Sequence, residues 1–111
     1  MDPIDENAVE ECERAFSELK LSGLKLNLSI AHIYPNDERV LKLLDVCRKY
    51  KKPIVFESGF AWEKESISRY TRPIEFEEVL NSYQDLKICL TQFGWPWIQE
   101  TAMLMLKYRN L

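Results

Sequence analysis

Two stretches decide how this chain is read: Pro53-Ile-Val-Phe-Glu-Ser-Gly59 and Cys89-Leu-Thr-Gln-Phe-Gly-Trp-Pro-Trp97. Each is a short apolar run that stops at a polar residue and then a glycine. Parallel strands buried on both faces read as continuous apolar runs, and in α/β folds chemistry gathers beyond the carboxyl ends of such strands. Glu57 and Gln92 occupy those ends.

The pattern repeats outward from there. Upstream, Leu24-Lys-Leu-Asn-Leu28 alternates at period two and reads as a further strand, with Gly23 as the stop before it. Ala8, Val9, Cys12, Ala15, Phe16 and Leu19 recur at helical spacing and predict a helix over 6–20. A loop over 29–35 leads to Asn36 or Asp37, either a good cap. Val40, Leu43, Leu44, Cys47 and Tyr50 then share one face of a second helix. The polar and aromatic stretch 59–72 is the longest expected loop. Pro73 suits the first turn of a short helix carrying Phe76, Val79 and Leu80. A third strand is expected over 86–91. Pro96 opens a final helix with Ile98, Ala102, Met105 and Leu106 expected inward. The order is α-β-α-β-α-β-α. Strand centres near Leu26, Val55 and Cys89 lie about 30 residues apart, the period of right-handed βα units.

Composition bounds the function. The 111 residues, 46% of them hydrophobic, fit a single domain over 1–111 with a core. A net charge of −3 argues against nucleic acid as a partner, which calls for clustered Lys and Arg. The densest basic run, Arg48-Lys-Tyr-Lys-Lys52, closes a predicted helix and suits the negative end of its dipole. No apolar run approaches the roughly 20 residues that span a bilayer, and the acidic N-terminus lacks the basic region of a signal peptide. Cys12, Cys47 and Cys89 are odd in number and form no Cys-x-x-Cys pair. They read as buried, reduced thiols of a cytoplasmic protein.

Strand alternation adds a second inference. With Leu24, Leu26 and Leu28 under helices, Lys25 and Asn27 point to the other face, and Glu57 and Gln92 are expected to join them. Under helices such groups would be costly; at the mouth of a barrel they would not. The arrangement expected is therefore barrel-like.

The runs Gly23-Leu-Lys-Leu26, Tyr34-Pro-Asn-Asp37, Leu43-Leu-Asp-Val-Cys47 and Pro53–Gly59 resemble the amidohydrolase-related family of metal-dependent hydrolases and decarboxylases. So do Leu86–Trp97, Glu100 and Leu106-Lys-Tyr-Arg-Asn110. The resemblance implies an α/β fold, a partial TIM barrel of about three parallel strands with flanking helices, matching the middle of the family's (β/α)8 barrel. The family's first-strand His-x-His pair and last-strand Asp have no counterpart here. Where the family carries a metal-ligating His, this chain has Glu57; where it carries a catalytic His at the next strand end, it has Gln92.

The candidate site follows. Glu57 is the candidate ligand for a divalent metal, zinc or manganese, or a general base; alternatively it pairs with Lys25 or reaches water. Gln92 can orient substrate but cannot exchange a proton near neutral pH. Lys25 and Asn27 are candidate substrate-binding groups, and Trp95 and Trp97 a candidate pocket wall, a loop wedge or a partner contact. His32 is the only histidine, a replacement ligand or a solvated loop residue. Phe60, Trp62 and Tyr70 belong to the loop expected to overhang the site. The function expected is that of a fragment or degenerate relative of an amidohydrolase-like hydrolase, weak or inactive alone. The alternative is a protein-interaction or small-molecule-binding module. Open strand edges are rarely left bare, which points to a homo-oligomer or a complementing chain.

Overall fold

A computed structural model describes residues 1–111. Three strands, β1 (Leu24–Leu26), β2 (Ile54–Phe56) and β3 (Ile88–Leu90), form one parallel sheet in the order β1-β2-β3. Its register aligns Leu24 with Ile54 and Ile88, Lys25 with Val55 and Cys89, and Leu26 with Phe56 and Leu90. Alternation then sorts the side chains. Leu24, Leu26, Ile54, Phe56, Ile88 and Leu90 are all buried under helices. Lys25 and Cys89 are exposed and Val55 is half-buried on the opposite face, which no helix covers. The architecture is the α/β one expected, with the sheet open.

Helices α1 (Ala8–Ser17) and α3 (Glu38–Tyr50) pack on each other and on the sheet through Ala8, Cys12, Phe16, Val40, Leu43, Leu44 and Cys47. The Asp37 carboxylate accepts from the Arg39 amide at 2.9 Å and caps α3, a contact worth about 1 kcal/mol. Lys51 ends that helix in the left-handed conformation. The expected first helix is shorter than its apolar stripe. Leu19 lies beyond its end and is exposed, because the chain turns toward β1 before completing another turn.

Other expectations shift in detail. A short helix α2 (Leu28–Ala31) stands in the expected loop after the first strand, because the Asn27 side chain accepts from the Ser29 amide at 3.1 Å and caps it. Pro73 opens a 3-10 turn, Pro73–Phe76, which runs into α4 (Glu77–Ser82). Phe76, Val79 and Leu80 are buried as expected, and Phe76 meets Phe56 at 4.9 Å between ring centroids.

The last helix, α5 (Ile98–Lys107), reverses the expectation of its buried face. Thr101 and Leu104 face inward, whereas Ile98, Met105 and Leu106 are exposed, Leu106 by 89%. The turn Thr91–Gly94, left-handed at Gln92 and Phe93, joins β3 to α5. A side chain at Gly94 would collide with Pro73 and Thr101, so Gly94 brings α5 close over Pro73 on its Thr101 side. Apolar periodicity alone is nearly symmetric around this helix and could not choose the face.

Cys89 is likewise exposed rather than buried, since its register places it beside Val55 on the open face. Cys12 and Cys47 are buried as expected. Contact with Cys12, and then burial, pushes the Cys47 thiol well above its ordinary range, so it stays protonated. After α5 the chain returns to the sheet. The Ile88 amide donates to the Asn110 carbonyl at 2.8 Å, and the Asn110 side chain donates to the carbonyls of Leu80 and Tyr83.

Candidate functional site

Beyond the carboxyl ends of the strands lies a cavity of about 170 Å3. Its lining includes Asn27, Glu57, Gln92, Ser58, Phe60 and Trp62. Three of the six site residues expected from sequence therefore meet in one place, and a fourth, Lys25, is tied to it. Lys25 Nζ lies 2.7 Å from Glu57 Oε1. The other carboxylate oxygen of Glu57 accepts from the Thr91 hydroxyl at 3.2 Å.

Thr91, not Gln92, is the neighbour of Glu57. The register that aligns Phe56 with Leu90 aligns Glu57 with Thr91, so simple alternation sends Gln92 to the other face. Gln92 reaches the cavity only because it and Phe93 adopt left-handed backbone, with φ of 54° and 52°. Its side chain makes no hydrogen bond within the protein. The same is true of the Asn27 amide NH2, whose oxygen is spent on the α2 cap.

The floor and the overhanging loop are fastened by backbone. The Ser58 amide donates to the Thr91 hydroxyl at 3.1 Å, and Ser58 Oγ donates to the Thr91 carbonyl. The Gly59 amide donates to the Thr71 carbonyl at 2.8 Å, and the Thr71 hydroxyl returns a bond to the Gly59 carbonyl at 2.8 Å. The Phe60 amide donates to the Trp95 carbonyl at 2.8 Å. Gly59 sits at φ +90°, and a Cβ there would strike the Trp95 carbonyl oxygen. Glycine is what lets the two strand-end turns meet.

The tryptophans divide. Trp95 stacks on Trp62 with centroids 6.2 Å apart, and Trp62 meets Phe60 edge-on at 4.7 Å. Trp62, from the long loop, lines the cavity; Trp95 backs it from outside. Trp97 is elsewhere. The Arg72 guanidinium lies over its ring at 5.1 Å and also pairs with Glu100 at 2.7 Å, clamping the start of α5. His32 stacks on Tyr70, and its Nε2–H donates to the Glu65 carbonyl at 2.7 Å, so it holds the long loop to α2. Sequence reasoning missed Thr91 and Thr71. Only strand register could have pointed to Thr91.

The amidohydrolase family model matches residues 1–111. The chain belongs to the amidohydrolase family. No curated protein and no solved structure matches it. Members of this family commonly bind metals, but the donor set here does not fit one. Catalytic metal sites in general use three protein ligands, and no three His, Cys, Asp or Glu side chains converge on a point that could hold an ion. Glu57, the one expected ligand, has both oxygens engaged, one by a cation at 2.7 Å.

Proposed function

We propose that this amidohydrolase domain is a degenerate relative, or a fragment, of the family's hydrolases, weak or inactive in hydrolysis by itself. The observation that carries the reading is the Lys25–Glu57 pair. An ammonium stands 2.7 Å from the carboxylate that replaces the family's histidine, where it neutralises the charge that would draw a metal. Gln92, in place of the other histidine, cannot act as an acid or base near neutral pH. The test is Glu57→Ala. With a metal-dependent enzyme it abolishes bound metal and turnover together. Under the present reading it changes stability slightly and nothing else in a hydrolase assay.

A second reading, small-molecule binding, is favoured by the cavity itself. Two amide side chains, Asn27 and Gln92, bring unpaired donors to it, and Trp62 brings an open ring face. Unspent hydrogen-bonding groups beside an aromatic wall are what a ligand site requires. We also propose that the open sheet is completed by another copy or by a complementing chain. The open-face row of exposed Lys25 and Cys89 flanking half-buried Val55, and the exposed apolar side chains of α5, support this. Light scattering coupled to size exclusion tests it, a monomer at micromolar concentration counting against a homo-oligomer. No helix is long and apolar enough to cross a membrane.

A further inference from the structure

We infer that the cavity takes a small organic ammonium ion, a protonated or methylated amine held between the aromatic rim and the Glu63 carboxylate. This rests on the small-molecule-binding reading and names the ligand class. Two aromatic rings line the cavity, Phe60 and Trp62, with centroids 4.7 Å apart, and Trp95 stacks behind Trp62 at 6.2 Å. Trp62 is 72% exposed, so one indole face is open to a ligand. Such a face attracts cations within about 6 Å through its quadrupole.

Charge selects the sign. The cavity is lined by two carboxylates, Glu57 and Glu63, and by no Lys, Arg or His. Lys25 is the one cation paired with either, and it takes a single oxygen of Glu57. Glu63 has no ion-pair partner; its only side-chain bond is a long one from the Ser66 hydroxyl at 3.4 Å. The lining therefore carries one uncompensated negative charge and an exposed indole. An anionic ligand would meet repulsion from Glu63, and a neutral apolar one would leave the carboxylates and amides unanswered. The volume of about 170 Å3 admits a small molecule rather than a folded partner.

Calorimetric titration of the chain with choline, with its neutral isostere 3,3-dimethylbutan-1-ol and with the anion 3,3-dimethylbutyrate tests this. Choline is expected to bind about tenfold more tightly than either of the others, the size of a cation–π contact with a nearby carboxylate. Trp62→Ala and Glu63→Gln, both at exposed positions, should each weaken choline by about threefold or more without altering the circular-dichroism spectrum. Equal binding of the alcohol, preference for the anion, or choline affinity indifferent to both substitutions would overturn the inference. Metal content is measured on the same preparation. A metal-loaded protein that still selects choline would overturn the degenerate-hydrolase reading and leave this one standing.

Discussion

The two faces of the sheet differ in almost every physical respect, although the same nine residues supply both. On the helix side, Leu24, Leu26, Ile54, Phe56, Ile88 and Leu90 are buried, and Phe56 packs against Phe76 with the rings tilted. On the other side, Lys25 and Cys89 are exposed, and beyond them Asn27, Glu57 and Thr91 continue toward the cavity. One face secures the fold by burial; the other is free to change chemistry because little stability depends on it. Glu57 at a strand end is open to substitution for this reason, while Phe56 beside it has no such latitude.

Substitutions should separate the faces by size of effect. Phe56→Ala, at a fully buried position, is expected to lower unfolding free energy by about 3–5 kcal/mol in urea titration. A loss near zero would mean that the helix-covered face is not the core. Gly59→Ala should cost about 1–3 kcal/mol from backbone strain, with the added clash against the Trp95 carbonyl. It should also disturb the indole fluorescence, because Trp95 must shift; an unchanged spectrum would sink the idea that these turns are locked together. Glu57→Gln should change stability by only about 0–1 kcal/mol, since its partner Lys25 is 63% exposed.

Acid should act through the helix surface. Hydrogen bonds from Tyr50 and Lys49 hold the Glu13 carboxyl below its ordinary 4.5. Lys107 and Tyr108 do the same for Glu77, and Arg39 for Asp37. A depressed folded-state value gives stability that is present above the unfolded-state value and lost as pH falls through the folded one. Stability should therefore decline below about pH 4.5, and less steeply in Glu13→Gln. Tyr83 works at the other end. Burial, and then its bond to Asp45, raise it to about 12. Its contribution is complete below the ordinary value of 10 and fades as pH climbs from there toward 12.

Much of this was legible in the sequence. Continuous apolar runs closed by glycine marked β2 and β3, and their spacing implied parallel βα units. The capping residue Asp37 and the stripe Val40–Leu43–Leu44–Cys47 placed α3. The meeting of Asn27 and Glu57 at one cavity also followed from strand-end position, whereas Gln92 joins them only through the turn after β3. What stayed hidden depends on features with no local signature. The register that sets Thr91 beside Glu57 is a pairing between strands. The left-handed turn at Gln92 and Phe93 occurs at non-glycine residues, where sequence gives no warning. The rotation of α5 is fixed by contact between Gly94, Pro73 and Thr101, while its own apolar side chains are spread around the helix without one clear stripe. Trp97 looked equivalent to Trp95 until Arg72 claimed it.

Metal content decides most directly whether Glu57 is a ligand or half of an ion pair. Purified protein is loaded with zinc or manganese, passed over a chelating resin and measured by plasma mass spectrometry. The Lys25–Glu57 pair predicts no more metal than a denatured control retains. Near-stoichiometric retention, lost in Glu57→Ala, would contradict it.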